Sequence, residues 1–323
     1  MPVKRSIALI LGLGVLGAAG IWFAYQARPR ELVYQGQPVS AWAFQLHGPI
    51  PRQREEAAAA FQQLGATAVP DLIRMVRTQD PLLTKPLHPP PAWLPKPLQR
   101  LIYRTIRPAD ASARRIVAAH ALAALDGQAD AAVPALGGML TNPRPEERWL
   151  AATALGRIGS PEAVAVCVAA LRGTNDVLHH PAVYALGEMR AAAVPALPEV
   201  LHCLGHPYRA VRDSAVHTLA QIGLPALAPV AQLVREERGD CRRAAAQALV
   251  RISPSPRATL DPLLEMTDDP DPLSRRQALQ ALLTVSASHP RVVAALSNLL
   301  QDADEVVRTT AAEALAKTPA APR

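Results

Sequence analysis

Histidines are the residues of this chain with the spacing to hold a metal ion. His202 and His206 are four residues apart, so on one helix they would lie one turn apart on the same face. His179 stands earlier in the same part of the sequence, and neutral imidazole nitrogens are common zinc ligands. No carboxylate completes a His-Glu-x-x-His arrangement. We therefore expect a packed or solvated histidine cluster and no metal site, with His179, His202 and His206 as weak candidates.

The sequence contains a pattern that is repeated along the chain, and one position of this pattern is usually arginine. We call the equivalent positions of all the repeats a column, and the arginine column has two interpretations. It is either a stripe that binds anions, or a ladder that bonds neighbouring turns and acidic side chains such as Asp271 or Asp304. We favour the ladder. In one unit His179 replaces the arginine, which predicts a soft or pH-sensitive joint there. The members of the ladder are Arg115, Arg148, Arg212, Arg242, Arg275 and Arg308.

The sequence carries no further motif of established chemistry. Gly-x-Ser-x-Gly, phosphate-loop, paired zinc-ligand and dinucleotide-binding motifs are all absent. Three cysteines, Cys167, Cys203 and Cys241, do not make a disulfide framework, and we expect free thiols. These observations predict a protein without enzymatic activity and without a cofactor.

A sequence pattern that occurs eight times determines where the arginines and His179 stand. Arginine or histidine stands seven residues before a large apolar anchor, and alanine stands four residues before it. Such offsets mark one face of an α-helix. After the first gap, consecutive anchors are 30–33 residues apart, which indicates one repeated structural unit. The anchors are Phe61, Leu122, Leu155, Leu186, Leu219, Leu249, Leu282 and Leu315.

Each unit is predicted to contain two short helices joined by a turn. Gly65, Gly159 and Gly223 stand where the first helix should end, and proline recurs where the second should begin, as in Val69-Pro70. Alanines four residues and one residue before the anchor let a neighbouring helix come close. One helix pair cannot bury its apolar faces alone, so stacking of units must supply the core.

Strings such as Val211-Arg212-Asp213-Ser214-Ala215 resemble HEAT repeats of the short type that also occurs in phycobilin-lyase-like proteins. The resemblance covers residues 50 to 323. It implies an all-α fold, a right-handed α-α superhelix (HEAT/ARM-like solenoid) of about eight helix pairs. It also implies that first helices lie on the convex side and second helices line the concave side. The chain further resembles exported or membrane-anchored bacterial HEAT-repeat proteins of undefined activity.

Catalytic families with similar repeats define the alternative function. Deoxyhypusine hydroxylases bind iron through His-Glu dipeptides, and this sequence has none. Bilin lyases act on a chromophore, and nothing in the sequence marks a chromophore pocket. The alternative is therefore a lyase-like or hydroxylase-like enzyme, or a metal-binding protein, with its site near His179, His202 and His206.

Composition fits a helical stack and argues against a nucleic-acid partner. Hydrophobic residues make up 50% of the chain, but aromatic residues only 4%. The net charge is +7, and without Lys4 and Arg5 there are 32 basic residues against 27 acidic ones, or +5. So mild a positive charge predicts no nucleic-acid partner.

Residues 1–27 are predicted to form a signal-anchor or transmembrane helix. Residues 7–24 carry no charge and, with their neighbours, reach the length of about 20 residues that a membrane span needs. Lys4 and Arg5 favour a cytoplasmic N-terminus. The solenoid would then be exported to the periplasmic or extracellular side of a single-pass membrane protein. The alternative is a cleaved signal peptide and a secreted solenoid.

Two further segments complete the predicted organisation. Residues 28–50 form a linker and an N-terminal cap, in which Ser40 is the predicted N-cap of a short helix. In this cap Tyr34, Trp42 and Phe44 are expected to cover the apolar end of the first unit. The solenoid spans 51–323, with a Pro-rich, basic insertion at about 79–110 that either packs on its flank or contacts a partner or anionic lipid. The candidate contacts of the insertion are Trp93, Arg100, Tyr103, Arg104 and Arg107.

The leading hypothesis is a non-enzymatic scaffold. The N-terminal helix would tether it to the membrane, and the concave surface of the solenoid would bind a protein partner that the sequence does not identify. Contacts are expected from the second helices and from the position two residues before each anchor. That position holds His120, Thr153, Tyr184, His217, Gln247, Gln280 and Glu313.

Overall fold

The computed structural model describes residues 31–79, 96–97, 109–253 and 255–317. The predicted signal-anchor segment lies outside the described residues. Most of the insertion also lies outside them, including its candidate contacts Trp93, Arg100, Tyr103, Arg104 and Arg107. Among the helices that are described, none combines the length and the apolar character that crossing a membrane requires.

Helices come in pairs that follow the repeated pattern, and we number the units 1 to 8 in chain order. The first helices are Pro51–Leu64, Ala109–Ala124, Pro145–Ile158, His179–Met189, Arg209–Ile222, Gly239–Ile252, Pro272–Ser286 and Glu305–Lys317. The second helices are Val69–Val76, Val133–Leu140, Pro161–Arg172, Leu197–His202, Leu227–Glu236, Pro256–Glu265 and Pro290–Leu299. The described residues therefore form an all-α HEAT-like solenoid of seven helix pairs and a final single helix, where the sequence predicted about eight pairs.

A small cap precedes unit 1. Strands Val33–Tyr34 and Gln37–Pro38 pair antiparallel, and the helix Val39–Leu46 follows them directly. Trp42 is buried, and its Nε1 donates a hydrogen bond of 3.1 Å to the carbonyl oxygen of Tyr34. The cap therefore joins the apolar core, although Phe44, which we expected to help cover unit 1, is exposed.

The predicted N-cap role of Ser40 is wrong. The helix begins at Val39, two residues earlier than a Ser40 N-cap would place it, after Pro38 in an extended conformation, so Ser40 lies inside the first turn. The carboxylate of Glu31 caps the N-terminus of this helix instead. It accepts hydrogen bonds from the backbone N–H and the hydroxyl of Ser40. A carboxylate at this end also matches the partial positive charge of a helix N-terminus.

The helix ends agree with the sequence. Gly65, Gly159 and Gly223 follow first helices with φ values of 51°, 61° and 81°, as predicted for a glycine at that position. In units 2 and 4 the same position holds Asp126 and Arg190, with φ values of 48° and 54°. The positive φ is thus kept even where the residue carries a Cβ atom, for which this region is less favourable.

The columns of the repeat are the core of the solenoid. All eight alanines four residues before the anchors have no exposed surface. The anchors of units 1 to 7 are almost fully buried, whereas Leu315 of unit 8 is half-buried. Cys167, Cys203 and Cys241 are free thiols, and this prediction is confirmed.

From unit 2 onward, neighbouring first helices pack more closely than neighbouring second helices. At Gly156 an added Cβ atom would lie 2.7 Å from the Cβ of Glu188 in the next unit. At Gly187 it would lie 2.8 Å from the hydroxyl oxygen of Thr218. These two glycines, each directly after an anchor, allow a backbone approach that no side chain would permit.

Gly156→Ala should destabilise the protein by about 1–3 kcal/mol. The added methyl group meets the Cβ of Glu188 and, at 3.1 Å, the carbonyl oxygen of Ala185. This overpacking should outweigh the better helix propensity of alanine. Gly138→Ala is the matched control, because no atom lies within 4 Å of its new Cβ, and it should stabilise by up to about 1 kcal/mol. Urea denaturation followed by circular dichroism measures both, and a shared sign would contradict the close approach.

Candidate functional site

Arginines of the column bond the first helix of a unit to the turn before it. Nη1 of Arg148 donates to the carbonyl oxygens of Asn142 and Pro143. Arg212, Arg275 and Arg308 make the same pair of bonds to the carbonyls six and five residues before them, at 2.7–3.1 Å. Each such arginine thus fixes the turn through which the chain enters its unit.

Ion pairs link neighbouring units along the same column. Arg275 of unit 7 donates from Nε and Nη2 to the two carboxylate oxygens of Asp302, each at 2.7 Å. Arg242 of unit 6 pairs with Asp269, and their side chains are only 5% and 1% exposed. Because both groups are buried, this pair depends on its hydrogen bonds to offset desolvation.

The acidic partners differ from Asp271 and Asp304, which we had predicted. Asp271 pairs with Arg243 and accepts from the backbone N–H of Leu273, and Asp304 accepts from the backbone N–H of Val307. Both carboxylates thus serve the N-terminus of the following helix. In the turns that enter units 7 and 8, the ladder uses the aspartate two residues earlier, Asp269 and Asp302.

A glutamate takes the acidic role between units 2 and 3. Glu147 is fully buried and accepts hydrogen bonds from Arg115 Nε at 2.6 Å, Ser112 Oγ at 2.6 Å and Arg144 Nη1 at 3.2 Å. Burial opposes ionisation, but these hydrogen bonds outweigh it and lower the pKa of Glu147 from its usual 4.5. The joint therefore keeps a buried charge pair at neutral pH.

Histidines occupy both ladder positions between units 4 and 5. His179 stands in the arginine column, and His206 stands at the turn position that aspartate holds in units 7 and 8. His179 Nδ1 lies 3.0 Å from His206 Nε2, and His179 Nε2 lies 3.1 Å from the carbonyl oxygen of Gly173. The backbone N–H of Tyr208 donates to His206 Nδ1 at 3.1 Å.

These partners assign one proton to each imidazole ring. His206 accepts at Nδ1, so its proton is on Nε2 and is donated to His179 Nδ1. His179 then donates from Nε2 to Gly173. Burial is the main cause that lowers the pKa of His206 below its usual 6.5, and a proton added to the adjacent His179 would lower it further, so both effects favour a neutral His206.

Two of the three metal candidates come together, and the third does not. Asp176 joins them, with its Oδ1 3.7 Å from His179 Nδ1, and the ligand atoms of Asp176, His179 and His206 all lie within 4.8 Å of one another. His202 is exposed and outside this group. Sequence reasoning missed Asp176, although its position three residues before His179, about one helical turn, is a signal that would have found it.

His202 and His206 do not share a helix, contrary to the sequence interpretation. The second helix of unit 4 ends at His202, and His206 has an extended backbone with φ −62° and ψ 140°. Pro207 explains this, because the residue before a proline disfavours helical geometry. In this extended turn the ring of His206 lies against His179, at the start of the first helix of unit 4.

A continuous surface, which we name the first-helix face, runs along the exposed side of the first helices. In units 3 and 4 the ring of Trp149 contacts His180 and Tyr184 edge to face, with centroids 4.8 and 5.2 Å apart. In units 5 to 7 it continues as a groove of about 310 Å³. The lining of the groove includes Arg209, Asp213, Arg243, Gln247, Arg276 and Gln280.

The family model described as HEAT repeats matches residues 98–187, 165–250 and 255–323. No curated protein sequence matches the chain. The structure is similar to the archaeal HEAT-like repeats protein from Thermococcus onnurineus NA1, with 16% identity over 62% of this chain and 91% of that one, at a TM-score of 0.40.

Two further solved structures are similar over most of the chain. The complex of CpcE and CpcF of phycocyanin lyase from Nostoc sp. PCC7120 shows 19% identity over 84% of this chain and 96% of that one, with a TM-score of 0.35. An engineered protein shows 21% identity over 86% and 88%, with a TM-score of 0.36. At these identities the likeness concerns the fold alone.

Proposed function

Because the chain belongs to the HEAT-repeat family, we propose that it is a non-enzymatic scaffold whose first-helix face binds a protein partner. The observation that carries this proposal is the composition of that face. The face carries an aromatic cluster at Trp149 in units 3 and 4, and a groove with Arg209, Arg243 and Arg276 in units 5 to 7. Aromatic residues and arginine are the types that contribute most to protein–protein interfaces.

The first helices are proposed to line the concave side of a right-handed solenoid. A curved stack brings its elements closest together on the inside of the curve, and the closer packing of the first helices, with Gly156 and Gly187 at the contacts, supports this arrangement. It reverses the expectation that the second helices would be concave. The partner surface then consists of one helix layer.

Glutamine side chains make the groove suitable for an extended polypeptide. Gln247 and Gln277 share one hydrogen bond of 3.1 Å, and Gln280 is exposed beside them. A side-chain amide has two donors and two acceptor sites, so capacity remains after that bond. The remaining donors and acceptors of these amides can hydrogen-bond to backbone C=O and N–H groups of a partner segment. Such bonds do not require a particular partner sequence.

The tether remains part of the proposal. The uncharged stretch 7–24, preceded by Lys4 and Arg5, supports a single-pass anchor with an exported solenoid, and secretion after cleavage is the alternative. We propose no nucleic-acid partner, because the net charge without Lys4 and Arg5 is only +5 from 32 basic and 27 acidic residues.

Site-specific photo-crosslinking in the native cells tests the scaffold. A photoreactive residue in place of Gln280, on the first-helix face of unit 7, should give one dominant crosslinked protein. The matched control is Gln232, an equally exposed glutamine on the second helix of unit 5. Arg276→Glu should lower the yield at Gln280, because it reverses a charge in the groove. Equal adducts from both positions, or an adduct from Gln232 alone, would contradict the proposal.

A further inference from the structure

We propose that Asp176, His179 and His206 bind a zinc ion that fastens unit 4 to unit 5. The three side chains come from two units, since Asp176 and His179 begin unit 4 and His206 lies in the turn that enters unit 5. Two imidazole nitrogens and a carboxylate oxygen are ligands that zinc accepts, with water in the fourth position.

The distances between ligand atoms suit tetrahedral zinc. Zinc–nitrogen bonds of about 2.0–2.1 Å place two ligands about 3.3 Å apart. Two of the three separations lie on either side of that value, with 3.0 Å between the two imidazole nitrogens and 3.7 Å between His179 Nδ1 and Asp176 Oδ1, and all three lie within 4.8 Å. Rotation of the exposed Asp176 side chain is the adjustment that the site then needs.

A second layer of contacts orients His179. Its Nε2–H donates to the carbonyl oxygen of Gly173 at 3.1 Å, which leaves Nδ1 as the nitrogen directed at the ion. A hydrogen bond from the distal N–H of a histidine to a carbonyl is the usual support of a metal ligand. The side of the site formed by exposed Asp176 remains open to solvent and gives an ion access.

Zinc binding requires a change of tautomer at His206. Its proton moves from Nε2 to Nδ1, and the backbone N–H of Tyr208 loses the acceptor that it now has. Because protonated Nδ1 and this N–H would both be donors 3.1 Å apart, the ring of His206 must turn away from the N–H, and water then supplies its acceptor. Nearby Arg212 donates to the His206 carbonyl, but its charge is balanced by Asp240 at 3.0 Å.

The ladder indicates what the ion would contribute. Between units 6 and 7, and between units 7 and 8, an arginine and an aspartate attract each other across the joint. Between units 4 and 5 both residues are replaced by neutral bases whose nitrogens face each other. A cation held between them, with the carboxylate of Asp176 alongside, restores an electrostatic link at that joint.

Metal titration of the full-length chain tests the site. The metal-free protein should bind one equivalent of zinc by isothermal titration calorimetry, and cobalt(II) should give the visible absorption bands of a four-coordinate site. His206→Asn removes the ligand but keeps a side-chain acceptor for the turn, as Asn142 provides for the backbone N–H of Arg144. It should weaken binding by at least about 100-fold.

His202→Asn is the matched control, because His202 is exposed and outside the ligand group. It should leave both the affinity and the cobalt spectrum unchanged. Absence of binding by the folded wild-type chain would mean that the two rings form an imidazole–imidazole hydrogen bond only, and the proposal would fail. Equal binding by His206→Asn and the wild type, with matching circular dichroism spectra, would place the ion elsewhere and overturn it as well.

Discussion

Arg242→Met should destabilise the folded protein by about 3–5 kcal/mol, because it leaves the buried carboxylate of Asp269 without its cation. The two side chains are 5% and 1% exposed, so water cannot take the place of the guanidinium. The substitution also removes the hydrogen bond from Arg242 Nε to the carbonyl oxygen of Val234. Methionine keeps the apolar stem, so the loss reports on charge and hydrogen bonding.

An exposed ion pair provides the control for Arg242→Met. Arg157 and Asp126 also join two units, with Nε and Oδ1 2.9 Å apart, but their side chains are 53% and 57% exposed. Arg157→Met should therefore cost between 0 and about 1 kcal/mol. Urea denaturation followed by circular dichroism measures both variants, and a loss below about 1 kcal/mol for Arg242→Met would show that the buried pair contributes little.

A double variant separates the cost of an unpaired charge from the value of the pair. Asp269 also accepts a hydrogen bond from the backbone N–H of Asp271, and asparagine at position 269 would retain that acceptor without the charge. Arg242→Met with Asp269→Asn should therefore recover much of the stability lost in the single variant. No recovery would mean that the arginine acts mainly through the carbonyl of Val234.

The columns of the solenoid could be predicted because helix geometry alone determines them. Ala182 and Leu186 are four residues apart, so they share a helix face, and both are fully buried. The same periodicity placed the glycines at the helix ends. The buried columns and the helix ends could therefore be predicted without knowing how neighbouring units pack against each other.

Contacts across a joint could not be predicted from the period. His179 and His206 are 27 residues apart, and they meet in a turn where His206 has an extended backbone before Pro207. The sequence predicted Asp271 as the partner of an arginine, but Asp269 lies in the same turn and is the one that pairs with Arg242. Only the turn geometry decides which carboxylate binds the arginine and which accepts from the helix N-terminus. Such choices depend on backbone direction at single residues, which composition and spacing do not encode.

The proposal that the first helices form the concave layer differs from the expectation that the resemblance gave. It rests on the small residues beside each anchor, which indicate that the first helices approach each other most closely. Gly156 and Gly187 are the extreme cases. Side-chain size at the helix contacts is therefore the evidence on which the proposed curvature rests.

The anchors of the repeat should differ in energetic importance although they are equivalent in sequence. Leu186→Ala in unit 4 should cost about 2–5 kcal/mol, because Leu186 has no exposed surface and its first helix packs against those of units 3 and 5. Leu315→Ala in unit 8 should cost about 1 kcal/mol, because Leu315 is only half-buried and less apolar surface leaves water there.

The reason for that difference is the one-dimensional organisation of stacked repeats. Each unit contacts only its neighbours, so a cavity at an internal anchor weakens two interfaces at once. Chemical denaturation of the two variants gives the comparison, with Gly138→Ala as the reference for a substitution that disturbs no neighbour. If Leu186→Ala and Leu315→Ala cost the same, burial would not determine the energy of the anchors, and the stacking of units would not be the source of the stability that we assign to it.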